Sequence, residues 1–171
     1  MDKTTQKNID LLHPLLRLEV TNIMCEVDAA LKGRAKCRII SSLRTFIEQA
    51  ILYAQGRTKP GRKVTNAKEG QSIHNYGLAI DIVLIIDGKI ASWDTKADWD
   101  GDKQSDWMEV VTIFKKHGWT WGGDWRTFVD MPHFEKTFGY TWRTLKPLYE
   151  SGLVDVNSYV KIHTATANNL V

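Results

Sequence analysis

Leu16, Val20, Ile23, Val27 and Leu31 recur at three- and four-residue steps. That period puts them on one face of a helix running from Leu15, and Gly33 is placed to end it. A shorter helix is expected from Thr4 to His13, interrupted by Pro14. His13 beside that proline reads as a surface or capping histidine. Cys37-Arg38-Ile39-Ile40 then reads as a strand. Thr45 followed by Glu48 three residues later has the form of a capping box, which opens an amphipathic helix to Ala54 that Gly56 closes.

The polar segment from Gln55 to Gly70 carries Arg57, Lys59, Arg62, Lys63 and Lys68. It fits a solvated loop, or a flap whose cations meet substrate carboxylates. After Ser72-Ile73-His74-Asn75-Tyr76-Gly77-Leu78-Ala79-Ile80-Asp81 comes the apolar strand Ile82 to Ile86. Asp87-Gly88 is a type I′ hairpin signal, so Lys89-Ile90-Ala91 should begin a return strand. A helix is expected over Ser105 to His117 with Trp107, Val110, Val111 and Phe114 inward, ended by Gly118. Trp119, Trp121 and Trp125 surround Gly122-Gly123 and read as core or cleft wall. Asp130-Met131-Pro132-His133-Phe134-Glu135 reads as a turn entering a short strand. A last helix spans Thr141 to Ser151 with Trp142, Leu145, Leu148 and Tyr149 for packing, and residues 164–171 read as a loose tail.

Composition adds bounds rather than identity. The chain of 171 residues is 43% hydrophobic and 25% charged, enough for one domain with a real core. The net charge of +3 falls well short of a nucleic-acid-binding signature. Cys25 and Cys37 have no metal-binding or redox spacing and read as buried thiols in a reducing compartment. No apolar stretch follows the basic residues of the N-terminus, so no signal peptide is expected, and no apolar run is long enough to cross a bilayer. The expected location is therefore the cytoplasm of the producing cell. There are no repeats and no linker to a second domain.

Three polar features carry candidate chemistry. His74, Asp81 and His133 can form a two-histidine, one-carboxylate zinc site that leaves one position for water. The competing reading is a set of satisfied polar residues bordering a sheet. Asp81, placed ahead of five apolar residues, is costly unless paired, hydrogen-bonded or bound to metal. Asp130 could act as a base beside the metal, and Glu135, sharing a strand face with His133, is its rival. Arg44, at a strand-to-helix junction, could stabilise an oxyanion or could be a surface residue. Separately, Asp98, Asp100, Asp102, Asp106 and Glu109 match the acidic positions of a calcium loop. The glycine is misplaced at Gly101, and the plainer reading is an acidic loop leading into a helix N-terminus.

These residues resemble a known family. Ser72-x-His74-x-x-Gly77-x-Ala79-x-Asp81 before an apolar strand resembles the metal motif of zinc D-alanyl-D-alanine and L-alanyl-D-glutamate peptidases. Trp121-Gly122-Gly123-Asp124-Trp125 with Asp130-x-Pro132-His133-Phe134 resembles the second motif of the L-alanyl-D-glutamate branch, which includes many phage endolysins. Leu43-Arg44-Thr45 with Glu48-Gln49, and Gln55-Gly56-Arg57-Thr58, also match. The similarity runs from about residue 37 to 150.

The resemblance implies an α+β fold, a small antiparallel sheet with flanking helices shared with the zinc-bearing hedgehog domain. It implies Zn2+ on His74, Asp81 and His133, Asp130 as catalytic base, and Arg44 polarising the substrate carbonyl. Ser72 and Gln49 would be supporting, substrate-binding cleft residues. The implied activity is hydrolysis of the L-alanyl-D-glutamate bond in the bacterial peptidoglycan stem peptide, by a monomer released through holin-type lysis. Residues 1–152 would be a single catalytic domain and 153–171 an extension of unknown role, with no separate wall-binding domain. A D-alanyl-D-alanine carboxypeptidase or dipeptidase, or a non-catalytic zinc-containing wall-binding module, are the alternatives.

Overall fold

A computed structural model describes residues 1–164 of the chain. Five helices flank a five-stranded antiparallel sheet, as the α+β expectation requires: α1 (Lys3–Asp10), α2 (Pro14–Ala30), β1 (Ala35–Ser41), α3 (Phe46–Ala54), β2 (Ala79–Ile86), β3 (Ile90–Ser92), α4 (Asp106–Lys116), β4 (Thr120–Trp121), β5 (His133–Glu135) and α5 (Trp142–Glu150). The central strand is β2. It pairs with β1 on one side, while its other neighbours are β5, against Ala79–Asp81, and β3, against Leu84–Ile86. β4 extends the sheet beyond β5.

The two-residue period of β2 sorts its side chains. Ile80, Ile82, Leu84 and Ile86 enter the core with Leu16, Val20, Ile23 and Val27 of α2 and Trp107, Val110 and Phe114 of α4. Asp81 belongs to the alternate set and points to the opposite face. The same alternation on β5 sends Phe134 into the core and leaves His133 and Glu135 on the face of Asp81. Asp87 and Gly88 have φ of 51° and 70°, the left-handed pair that a type I′ turn between β2 and β3 needs.

Local signals map closely onto the helices. Pro14 starts α2 at a position where its missing N–H costs nothing. His13 is the cap: its Nδ1 accepts from Leu15 N–H, and its Nε2 lies 2.9 Å from the Val160 carbonyl. It is only 5% exposed, so it is a buried cap and not a surface residue. The Thr45–Glu48 capping box forms at the start of α3. Gly33 does not end α2, whose cap is Leu31. A Cβ at Gly33 would lie 2.5 Å from the Trp99 carbonyl oxygen, so close approach of the 93–105 loop explains the glycine. Cys37 is buried as expected, and burial pushes its thiol pKa upward. Cys25 is exposed, because the core stripe of α2 leaves that position on its outer face.

Residues beyond α5 return to the same core. Val160 is buried in it, and the Tyr159 hydroxyl donates to the Leu11 carbonyl. Of the tail expected at 164–171, residues 165–171 lie outside the described residues. No described helix is long and apolar enough to cross a membrane.

Candidate functional site

A cleft of about 790 Å³ opens on the polar face of the sheet, with His74, Asp81 and His133 among its lining residues. His74 sits on a 3-10 turn, Ile73–Tyr76, which Gly77 ends with φ of 67°. A Cβ there would fall 2.8 Å from the His13 nitrogen, so the turn that presents His74 packs tightly on the start of α2. Asp81 and His133 are direct partners in the β2–β5 ladder. On the other side of β2, the β1 register is irregular between Ile39 and Ser41, beside Asp81.

The three candidate ligand atoms form a nearly equilateral triangle. His74 Nε2 lies 3.2 Å from His133 Nδ1, and each lies 3.3 Å from Asp81 Oδ1. A tetrahedral zinc with bonds of ~2.0–2.1 Å needs ligand–ligand edges of about 3.3 Å, so the triangle fits one face of that tetrahedron. The remaining ring nitrogens are engaged. His74 Nδ1–H donates to the Ser42 carbonyl at 2.7 Å, and His133 Nε2–H donates to Glu135 Oε2 at 3.0 Å. These contacts occupy the outer nitrogens and leave the inner ones, His74 Nε2 and His133 Nδ1, to face a metal. Burial would raise the pKa of Asp81, but His74 and His133 hold it far below the usual carboxylate range. Burial would lower His133, but Asp81 and Glu135 carry it up to about 9 in the metal-free protein. The cluster is a suitable metal site, with a carboxylate ready to meet a cation.

Asp130 and Arg44 line the same cleft. Burial, then the charge of Asp81, raise the pKa of Asp130 against the opposing pull of His133, His74 and Arg44. That is the direction a general base needs. Its backbone N–H donates to the Gly122 carbonyl, and its own carbonyl accepts from His133 N–H. A Cβ on Gly122 would lie 2.5 Å from the Asp130 carbonyl oxygen and 3.1 Å from the His133 Cβ. Trp121 Nε1–H holds the Met131 carbonyl, and the Trp125 ring lies 5.0 Å from the His133 ring. The Trp-Gly-Gly-Asp-Trp segment is thus the seat of the Asp130–His133 turn.

Arg44 Nη1 donates to Gln49 Oε1 at 3.0 Å, and Nη2 lies 3.7 Å from Asp81 Oδ2. Gln49 is fully buried behind the cleft wall, where its amide also holds the Ala67 carbonyl at 2.7 Å. Ser72 does line the cleft. The 55–70 loop walls it through Val64, Thr65, Asn66 and Ala67, whereas Arg57 stacks on Tyr53 and ties the loop through the Tyr53 and Thr65 carbonyls. The loop's cations are not lining residues; Arg143 of α5 is. Sequence reasoning missed Arg143, Ser42 and Asn75. Buried Asn75 joins the Arg44 carbonyl to the Gly70 N–H and so locks Arg44 to the His74 turn. Glu135 was singled out as a rival base, and its place is on the ring of His133.

Comparison with known proteins adds the family and the fold. A profile of a D-alanyl-D-alanine carboxypeptidase family matches residues 65–136, the span from the cleft loop to Lys136, just past β5. The peptidoglycan L-alanyl-D-glutamate endopeptidase CwlK of Bacillus subtilis is 47% identical over 125 residues, 72% of each chain. The chain belongs to this peptidase family. The L-alanyl-D-glutamate peptidase of Listeria phage A118 is 30% identical over 141 residues, covering 70% of this chain and 47% of that protein. The crystal structure of the Serratia marcescens L-Ala D-Glu endopeptidase ChiX superposes with a TM-score of 0.54 over 81% of this chain and 90% of that one. At 17% identity that match concerns the fold alone.

Proposed function

We propose that the chain is a zinc-dependent endopeptidase that hydrolyses the L-alanyl-D-glutamate amide bond of peptidoglycan stem peptides. The observation that carries this reading is the triangle of His74, Asp81 and His133 beside Asp130 in one cleft. The likeness to CwlK supports the choice of bond. Likeness to a phage peptidase supports a lytic, endolysin role. In this reading the protein is a monomer that reaches the wall after holin-type release.

A zinc ion held by His74, Asp81 and His133 would supply Lewis-acid polarisation and acidify water at the site. Asp130 takes the proton of the attacking water and returns it to the amine of the departing D-glutamyl residue. Arg44 directs its guanidinium N–H groups at the carbonyl oxygen as negative charge develops there. Gln49 and Asp81 hold that guanidinium in place from behind. Ser72, Thr65 and Asn66 offer polar contacts to the peptide along the cleft wall.

A second reading, D-alanyl-D-alanine carboxypeptidase, is favoured by the description of the matched family profile. Mass analysis of digested peptidoglycan separates the two. New N-terminal D-glutamyl peptides support the endopeptidase, whereas released D-alanine supports the carboxypeptidase.

A further inference from the structure

The loop leading into α4 gathers carboxylates that the cleft does not use. Ligand-type oxygens of Asp98, Asp100 and Asp102 lie within 4.8 Å of one another, and so do those of Asp100, Asp106 and Glu109. Asp100 joins the two groups. Backbone turns explain part of this: Asp98 accepts from the N–H groups of Gly101 and Lys103, and Asp102 from that of Gln104.

They do not explain Asp106. That residue is 0% exposed. Its Oδ2 accepts from Trp99 N–H, but its Oδ1 has no donor at all. Glu109 Oε2 is likewise buried without a donor. Among the described residues, these are the only two buried side-chain acceptors left without a partner, the other two unpartnered atoms being indole N–H groups. A buried carboxylate oxygen without a donor or cation is costly, and further carboxylates around it add repulsion.

We propose that this loop is a calcium site, with Asp98, Asp100, Asp102, Asp106 and Glu109 as carboxylate ligands and the Gln104 carbonyl as a sixth donor. The positions correspond to the first, third, fifth, seventh, ninth and twelfth of a twelve-residue calcium loop. Such a loop needs a sharp turn at its sixth residue, where glycine is usual. Here Lys103 stands at that position and takes the turn itself, with φ of 75°. The misplaced glycine of the sequence is therefore no obstacle. An all-oxygen set of this size suits calcium; zinc favours nitrogen and sulfur, and magnesium keeps several waters.

Calcium would act at a junction. Asp100 Oδ2 accepts from Lys32 N–H, and Trp99 offers its carbonyl to Arg34 N–H, so the loop binds the link between α2 and β1. Asp106 and Glu109 stand in the first turn of α4. The ion would clamp α4 to that link, and the expected effect is on stability.

The test is calorimetric titration of the purified protein, carrying whatever metal its cleft holds, with calcium chloride and in parallel with magnesium chloride. One calcium per chain with Kd below about 1 mM, magnesium weaker by at least ~10-fold, and a higher Tm in calcium are expected. Glu109→Gln, which removes one charged ligand, should weaken calcium binding at least ~10-fold, and Asp98→Asn with Asp102→Asn should abolish it. No calcium uptake by the wild type, equal uptake of magnesium, or unchanged uptake in folded variants would overturn the proposal. The wild-type titration decides even if a variant does not fold.

Discussion

Asp81 and His133 are separated by 52 positions in sequence, yet they face each other directly in the β2–β5 ladder with Oδ1 and Nδ1 3.3 Å apart. The register of two strands, each sending alternate residues to the polar face, is what assembles the centre. One residue of slip would turn His133 into the core and Phe134 out.

Glu135 is expected to serve the metal through His133, not to move the proton of the reaction. Glu135→Ala should weaken zinc binding about 10- to 100-fold, the usual cost of losing a partner of a ligating histidine. Competition with a chromophoric chelator measures this. Unchanged zinc affinity with collapsed turnover would return Glu135 to the role of base.

Gln49→Ala removes the partner of the Ala67 carbonyl and of Arg44 Nη1 from a fully buried position. A loss of about 1–3 kcal/mol in stability is expected from the unsatisfied groups. Since Arg44 also loses its alignment, kcat should fall more than KM rises, which steady-state kinetics on a stem-peptide substrate reads.

Gly122→Ala puts a Cβ against the Asp130 backbone rather than against a flexible side-chain end. Overpacking of this kind costs about 1–3 kcal/mol, visible in denaturant unfolding. Activity should drop with it because the displaced turn carries both Asp130 and His133. Wild-type activity in a folded Gly122→Ala protein would show that the turn has room to spare.

Zinc uptake should release a proton near neutral pH. In the metal-free protein His133 holds its proton up to about pH 9, because Asp81 and Glu135 outweigh burial. Ligation needs the bare Nδ1, so at pH 7 the proton must leave, and zinc affinity should rise with pH until about 9. Titrations in buffers of different ionisation enthalpy give the number released. A value of zero at pH 7 would contradict the protonated state.

Much of this was legible where the signal is local. The Thr45–Glu48 box, the α2 stripe and the Asp87-Gly88 turn depend on neighbours a few residues away, and each formed as read. His74, Asp81, Asp130, His133 and Arg44 were legible as chemistry, and all line one cleft. What was not legible depends on distant packing. Gly33 looks like a helix stop until Trp99 and Asp100 arrive against it. Glu135 looks like a base until the register places it on the outer nitrogen of His133. The 55–70 loop read either as solvated or as a flap of cations; Arg57 is spent on Tyr53 and Thr65, and smaller residues make the cleft wall.

The most direct measurement pairs zinc content with turnover in Asp130→Ala and His133→Ala. The account predicts one zinc per chain in the wild type and in Asp130→Ala, with kcat reduced about 10²- to 10⁴-fold in the latter, the usual worth of a positioned base. It predicts that His133→Ala loses both metal and activity. Loss of zinc from Asp130→Ala, or full zinc in His133→Ala, would contradict the assignment of ligands and base.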